Sequence, residues 1–321
     1  MRSIAFLLGI VVSTFVLGGE FVVGTYNVEN WRENFQALVL STQPAVTQAL
    51  GDAQFLRRLQ KEDDEDNWEV AQVILDPKFN PDILVFQEGP RREHLELFNQ
   101  KWLNGAFATL IVFPSNTDRD QHLGMMLKPG FKVLETRDQY YLEPDPVPNP
   151  RGNRLFARGP AFCLIETPWG YRLWVGTNHM KSKSGNDVEI TRWRNREARR
   201  TNQIIHEIAR TSGVPDVLFL GDMNDELHFQ EFEQEAGGDT IATLVGSGED
   251  RLFLATERLS QSGAISFGGY WEGRHRSFID HILATPSLKD RLSEPEVITG
   301  GLARVASDHF PVVIRVKVPE R

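Results

Sequence analysis

Six short polar clusters in this chain each lie at the end or the start of an apolar, strand-like run, and their residue types are those that hold hard cations and move protons. Asn27 and Glu29 follow the run at 21–26 and are two apart, so in extended chain they face the same way. Gln87 and Glu88 follow 83–86, Asn178 and His179 follow 173–176, and Asp222 and Asn224, again two apart, follow 217–220. Asp280 and His281 lie at the start of another run, and Asp308 and His309 precede the last one. Taken singly, each cluster has an ordinary reading: Asp and Asn after a strand serve turns and helix caps, and a lone His is a satisfied structural residue. Taken together they point elsewhere, because a sheet scaffold gathers such strand ends at one rim. Oxygen donors there suit a hard divalent cation such as Mg²⁺, and His with Asp supplies proton transfer and orientation. The combination fits metal-assisted phosphoryl chemistry.

The elements that must position these residues follow from hydropathy period and turn residues. Strands are expected at 21–26, 83–86, 108–113, 123–127, 131–134, 161–166, 171–177, 217–220, 278–284 and 312–316, and helices within 48–70, 92–103 and 190–210. The charge run 61–66 reads as a solvated helix end or loop, and the Pro- and Arg-rich stretch 143–158 as a long surface loop. Tight Pro/Gly turns at Lys128-Pro129-Gly130 and Thr167-Pro168-Trp169-Gly170 imply antiparallel meanders. The expected fold is a four-layer α/β sandwich, two packed and largely antiparallel sheets flanked by helices.

The segments Thr25-Tyr26-Asn27-Val28-Glu29-Asn30, Phe86-Gln87-Glu88, Asn178-His179-Met180-Lys181-Ser182-Lys183, Gly221-Asp222-Met223-Asn224, Ile279-Asp280-His281 and Ser307-Asp308-His309-Phe310-Pro311-Val312 resemble, in order, the motifs of the endonuclease/exonuclease/phosphatase superfamily, and the Asn-His-Met-Lys-Ser-Lys element is most similar to secreted bacterial nuclease-like members. The resemblance implies Glu88 as the central ligand of Mg²⁺, or of Mn²⁺ or Ca²⁺, with Asn27, Glu29 and Asp308 around the same ion or its waters. Many relatives carry Asp where this chain has Glu29. It further implies that Asp222 orients or deprotonates the attacking water and that Asn224 holds a phosphate oxygen. His309, positioned by Asp280, would contact the scissile phosphate, and His179 would supply a second imidazole from the other side.

The whole chain sets bounds on this reading. Its 321 residues, 40% hydrophobic and 25% charged, suit one globular catalytic unit, expected over 20–321. Arg2 followed by the apolar stretch 4–17 and small residues at Gly18 and Gly19 reads as a signal peptide over 1–19, too short for a comfortable membrane span. Export to the periplasm or medium, with no stable membrane association afterwards, is the expectation. A single cysteine, Cys163, sits in an apolar run, which excludes an internal disulfide and a multi-thiolate metal site. A formal charge of −9 argues against a protein that coats nucleic acid. It does not argue against an enzyme, since a bound cation reverses the local sign.

A nucleic acid is the expected substrate, with Lys181, Arg158, Arg274 and Arg276 as phosphate contacts at the rim. Lys183, Arg151 and Arg154 are further candidates, and Trp271 is a candidate for stacking on a base. Arg192, Arg196 and Arg200 recur every four residues, forming either a solvated helix face or a track for a phosphate backbone. Two other functions share the same motifs: a sphingomyelin or inositol-phosphate phosphoesterase, and a binding module that has lost activity. No long apolar hairpin suited to membrane insertion separates the motifs, which disfavours the lipid substrate. Every expected catalytic position holds a competent residue, which disfavours the inactive module.

Overall fold

A computed structural model describes residues 18–29, 31, 35–41, 53–117, 121–149, 153–183, 187–227, 231–268 and 275–320. The apolar segment 4–17 therefore lies outside the described residues, as do Arg151, Trp271 and Arg274. Among the described residues twelve strands form two six-stranded sheets. One sheet orders its strands β11 (Glu296–Val297), β12 (Val312–Lys317), β1 (Glu20–Asn27), β2 (Ile83–Gly89), β4 (His122–Leu127) and β3 (Thr109–Val112). The other orders β5 (Lys132–Arg137), β6 (Ala161–Glu166), β7 (Arg172–His179), β8 (Val217–Asp222), β10 (Asp280–Ala284) and β9 (Phe253–Leu254).

The sheets pack face to face through Val23, Ile83, Val85 and Met125 on one side and Cys163, Val175, Leu218 and Ile282 on the other. Residues of opposite strand parity, such as Tyr26 and Leu84, point outward onto helices. There α1 (Gln36–Ser41), α2 (Ala53–Leu75) and α3 (Arg92–Lys101) cover the first sheet, with Val70, Ile74, Leu95 and Phe98 buried against it. On the second sheet α4 (Val188–Thr211) buries Trp193, Ile204 and Ile208 against Phe162, Trp174 and Phe219. The strands buried on both faces read as unbroken apolar runs for that reason. This is the four-layer sandwich expected from the sequence, with Cys163 in the inter-sheet core.

Two local expectations need correction. The turn Lys128–Gly130 does not close a hairpin, because β4 ends in one sheet and β5 begins in the other; the turn carries the chain between layers. The turn at 167–170 does close the antiparallel β6–β7 hairpin. The charge run 61–66 lies within α2 rather than at its end, with Arg58–Glu62 and Lys61–Glu65 pairs on the exposed face. Within that run Asp63 is buried and accepts the Ala37 backbone N–H at 2.8 Å, holding α1 against α2.

The sheets share one local plan. In each, a central parallel pair is flanked on both sides by antiparallel strands: β1–β2 between β12 and β4, and β7–β8 between β6 and β10. Parallel neighbours need a long crossover, which α2 and α4 supply. The C-terminal ends of both parallel pairs open at the same rim of the sandwich, where the side chains of Asn27 and Asp222 meet.

Candidate active site

Pairing register sets the first distances at this rim. In the parallel pair β7–β8, Asn178 lies opposite Gly221 and His179 opposite Asp222. Gly221 makes that approach possible: its φ is 154°, and a Cβ there would lie 2.2 Å from the Asn178 carbonyl oxygen. On the other edge of β8, Asp280 of β10 faces Asp222 directly. Three further site residues hold left-handed backbone: Glu29 at φ 40° and Asn224 at 52°, just past the ends of β1 and β8, and Glu88 at 57°, within the register shift near the end of β2.

Asp222 is the centre of the cluster. Its Oδ2 accepts from Asn27 Nδ2 at 2.9 Å, lies 3.2 Å from His179 Nε2 and 3.8 Å from His309 Nε2, while its Oδ1 accepts the Asn224 backbone N–H at 2.8 Å. His309 Nδ1 is 2.8 Å from Asp280 Oδ2, so the pair joins residues far apart in sequence. Asp280 is fixed from behind, since Ser266 Oγ accepts the backbone N–H groups of Ile279 and Asp280. Ser307 fixes the other partner, donating to the Asn27 carbonyl and accepting the His309 N–H. The Phe267 ring lies against the His309 imidazole, centroids 4.9 Å apart.

Glu88, Glu29 and Asp308 form the second half of the site. Glu88 Oε2 accepts from Gln121 Nε2 at 2.6 Å, and its Oε1 lies 3.8 Å from Arg158 Nη1 and 3.9 Å from His179 Nε2. Glu29 accepts the Asp308 backbone N–H at 2.9 Å, and Asn27 Oδ1 accepts the Glu29 N–H at 3.1 Å. Asp308 Oδ1 lies 3.9 Å from His309 Nε2. Five carboxylates (Glu29, Glu88, Asp222, Asp280 and Asp308) thus crowd a rim whose near cations are the Arg158 guanidinium and the His309 ring. An oxygen-rich, negatively charged and partly exposed group of this kind fits a divalent cation. Asn27, Glu29, Glu88 and Asp308 would hold it. Among the described residues Asp222, Asp280 and His309 also place potential ligand atoms within 4.8 Å of one another, and within that group His309 Nδ1 is hydrogen-bonded to Asp280 Oδ2 at 2.8 Å.

Electrostatics separates the two imidazoles. Burial alone would push His309 down, but Asp280, by charge and hydrogen bond, together with Asp222 and Asp308, outweighs it and raises the pKa to about 10, so this ring carries its proton at neutral pH. His179 lies well below the ordinary range, through burial first and then the positive Arg158, His309 and Lys181, so it is neutral. Burial and the adjacent Asp280 lift Asp222 far above the usual carboxylate range, against the opposing pull of His309, Asn224 and Asn27. A carboxylate with a raised pKa is a competent proton acceptor for water. His281, the neighbour of Asp280, is a structural residue: fully buried, it contacts Thr256 Oγ1 and the Asp225 carbonyl.

The surrounding candidates divide. Asn224 reaches the site, with Nδ2 donating to the Met180 carbonyl at 3.1 Å. Arg158 is buried beside Glu88 and donates to Gln121 Oε1 at 3.3 Å, so it belongs to the interior of the site rather than its outer surface. Lys181 is half-buried, and its ammonium contacts Ser182; Arg276 is exposed, and Arg274 is outside the described residues. Lys183 is drawn into a salt bridge with Asp225 at 3.0 Å, and Arg154 is bound to the Leu142 carbonyl. Two of the three arginines of the stripe are engaged by acids from the preceding loop. Arg196 grips Asp145 with two hydrogen bonds of 2.9 and 2.7 Å, Arg200 grips Glu143 at 2.8 and 2.9 Å, and Arg192 pairs with Glu189. Arg196 and Arg200 thus fasten Asp145 and Glu143 of the preceding loop to α4, while Arg192 pairs within the helix. Sequence reasoning missed Gln121 and Ser266, common polar residues in loops whose spacing from the motifs carries no signal, and gave Ser307, although it lies inside a motif, no role. It also missed the Thr25–Gln87–Thr177 chain that stitches the two sheets below the site.

A sandwich that gathers carboxylates and two imidazoles at the joined ends of its central strands defines the class of sandwich-fold phosphoester hydrolases. The chain belongs to the Endonuclease/Exonuclease/phosphatase family, whose model matches residues 24–309. Among solved structures it is similar to an endonuclease/exonuclease/phosphatase family protein from Bacteroides thetaiotaomicron, with 16% identity, 94% of this chain and 99% of that chain covered and a TM-score of 0.60. It is also similar to a mannosyl-6-phosphatase of Bacteroides thetaiotaomicron VPI-5482, at 18% identity, 93% and 100% coverage and a TM-score of 0.60. A third, D. rerio TDP2 complexed with single strand DNA product, shares 15% identity over 92% of this chain and 98% of that chain, with a TM-score of 0.56. At these identities the likeness is one of fold. No curated protein matches the sequence.

Proposed function

We propose that this protein is an exported, divalent-metal-dependent hydrolase that cleaves phosphodiester bonds in a polynucleotide. The observation that carries the reading is the Asp222 carboxylate, set between Asn27, His179 and His309, with the far nitrogen of His309 held by Asp280. When bound at Glu88, Glu29, Asn27 and Asp308, the cation supplies charge neutralisation at the phosphate oxygens. The chain's own residues supply the rest. Asp222 Oδ2 takes the proton of the attacking water, with Asn27 and the Asn224 N–H fixing the carboxylate's orientation. The protonated His309 offers Nε2–H to a phosphate oxygen, its ring angle set by Asp280. Neutral His179 stands over Asp222 from the opposite side without adding charge. Export rests on the sequence of residues 1–19, and the polynucleotide on the resemblance of the motifs and on a DNA-binding structural relative.

A second reading, a phosphomonoester or other small phosphoester, is favoured by one observation: Arg196 and Arg200, the helix cations best arranged to follow a polymer backbone, are spent on Asp145 and Glu143. A mannosyl-6-phosphatase shares the fold. Incubating the purified mature chain with plasmid DNA, RNA, a hexose 6-phosphate, an inositol phosphate and sphingomyelin, with Mg²⁺, Mn²⁺ or Ca²⁺ and with chelator, separates the two. Salt-sensitive cutting of DNA or RNA supports the first. Turnover of a small phosphoester with both polymers untouched establishes the second.

A further inference from the structure

Glu88 and Arg158, an acid and a guanidinium in one corner of the site, approach to 3.8 Å, Oε1 to Nη1, which is beyond hydrogen-bond length. The side chain that engages both is Gln121, which is buried. Its Nε2 donates to Glu88 Oε2 at 2.6 Å, and its Oε1 accepts from Arg158 Nη1 at 3.3 Å. A carboxamide suits that place because it has a donor for the anion at one end and an acceptor for the cation at the other. A carboxylate and a guanidinium at close quarters otherwise tend to a direct fork, two parallel N–H···O bonds that occupy both carboxylate oxygens. Here Gln121 takes one oxygen of the acid and one donor of the base, and Glu88 Oε1 stays on the side of His179 Nε2, 3.9 Å away.

Backbone structure brings the three side chains together from separate elements. Phe86 of β2 pairs with Gly124 of β4 and Gly89 with His122, so Gln87 and Glu88 together face Leu123 alone. One extra residue on a strand is a bulge, and a bulge re-aims the side chain it carries. Glu88 therefore meets Gln121, which immediately precedes β4. Arg158 arrives on a different loop whose backbone is tied down on both sides. The Asn116 N–H donates to the Ala157 carbonyl at 3.0 Å, Asn116 Nδ2 to the Phe156 carbonyl at 2.7 Å, and the His179 N–H to the Arg158 carbonyl at 3.4 Å. With the backbones held, the long arginine side chain is what can move, and the Gln121 amide stands between it and the acid.

We infer that Gln121 is a positioning residue that keeps Arg158 from closing on Glu88, so that the carboxylate stays available to a divalent cation and the guanidinium to a phosphate. The inference rests on the reading of Glu88 as a ligand of that cation, so the test has one arm that needs neither metal nor activity. In a crystal structure of metal-free Gln121→Ala, a guanidinium nitrogen of Arg158 should lie within about 2.7–3.2 Å of a Glu88 oxygen, with Gln121→Ser as the second variant should the first fail to fold. A separation still beyond about 3.5 Å overturns the spacer. The second arm is calorimetric titration of Mn²⁺ into the purified wild-type protein, Gln121→Ala, Arg158→Ala and the double variant. Loss of Gln121 should weaken Mn²⁺ binding roughly 10- to 100-fold, the scale for a residue that orients a metal ligand. In the Arg158→Ala background the same change should cost about threefold or less, because the competing cation is gone and coupled residues are not additive. An affinity within about twofold of wild type, or an equal loss in both backgrounds, overturns the proposal. Wild-type protein that binds no Mn²⁺, or a Glu88→Gln variant that binds it as tightly, removes the metal reading and leaves the crystallographic arm to judge the spacer.

Discussion

Removing the charge of Asp280 tests the proton economy of the site. Asp280 Oδ2 lies 2.8 Å from His309 Nδ1, and both side chains are buried, at 1% and 5% exposure. Asp280 is the largest of the influences that raise His309, which reaches about 10 against the downward pull of burial. In Asp280→Asn that support is lost, and burial then drives His309 to its ordinary value or below it. An imidazole with the ordinary pKa near 6.5 is only about 3% protonated at pH 8, so the population of the donor form alone falls roughly 30-fold. The loss of orientation from a carboxylate partner comes on top, and the whole should reach the roughly 10²–10⁴-fold range associated with positioned acid–base groups. The sign fixes the pH profile as well. In wild type the alkaline limb of kcat/KM should lie near the raised His309 value, and in Asp280→Asn it should move down toward neutrality, so the deficit grows with pH. The measurement is kcat/KM for a chromogenic phosphodiester from pH 6 to 10, with circular dichroism and a metal titration to show that fold and metal binding persist. An Asn variant within threefold of wild type at pH 8, with its alkaline limb unmoved, would refute the reasoning.

Other outcomes follow from the same geometry. Glu88→Gln should keep the hydrogen bond with Gln121 yet weaken divalent-metal affinity roughly 10–100-fold, read by calorimetric titration together with activity; unchanged affinity removes Glu88 from the metal site. Arg194→Ala should destabilise the fold by at most about 3–5 kcal/mol, because Asp225, whose side chain is 0% exposed, loses both donors at Oδ2 and keeps Lys183 at Oδ1. Asp225 is lowered below the ordinary carboxylate value despite its burial, by Arg194 and then Lys183, so this pair's contribution is present above the unfolded-state pKa near 4 and is lost as pH falls through the depressed folded value. Denaturant midpoints between pH 2 and 7 should show that acid loss in wild type. Arg196→Ala should lower stability through release of Asp145 but leave the KM for any polynucleotide within twofold; a large rise in KM would restore the phosphate-track reading of the stripe.

Which parts were legible in the sequence has a physical reason. Strand positions were visible because both sheets are covered on two faces, so runs such as 83–86 and 217–220 are unbroken in hydrophobicity and end abruptly in polar residues. Those abrupt ends are the site, which is why Asn27, Glu88, His179 and Asp222 could be singled out before any coordinates. Sheet membership was not legible: Lys128-Pro129-Gly130 has the residues of a tight turn whether it closes a hairpin or carries the chain from β4 to a different sheet. The arginine stripe failed for a related reason. Period four places Arg192, Arg196 and Arg200 on one face, but the partners of Arg196 and Arg200 come from Glu143 and Asp145, about fifty residues away in a loop with no periodicity. Glu197, whose buried carboxylate accepts the Lys181 backbone N–H, was invisible for the opposite reason: it is an ordinary helix-favouring residue in a charged helix, and a backbone amide has no sequence signature.

The central claim is that this rim activates water against phosphorus, and isotope transfer tests it most directly. Bis(p-nitrophenyl) phosphate should be turned over by the purified protein in H₂¹⁸O with Mg²⁺ or Mn²⁺, with chelator controls and with Asp222→Asn alongside. The account expects metal-dependent turnover that places one ¹⁸O in the phosphate product and none in p-nitrophenol, and a loss of roughly 10²-fold or more in Asp222→Asn. Turnover unaffected by chelator, label appearing in the phenol, or an Asp222→Asn variant as active as wild type would contradict it.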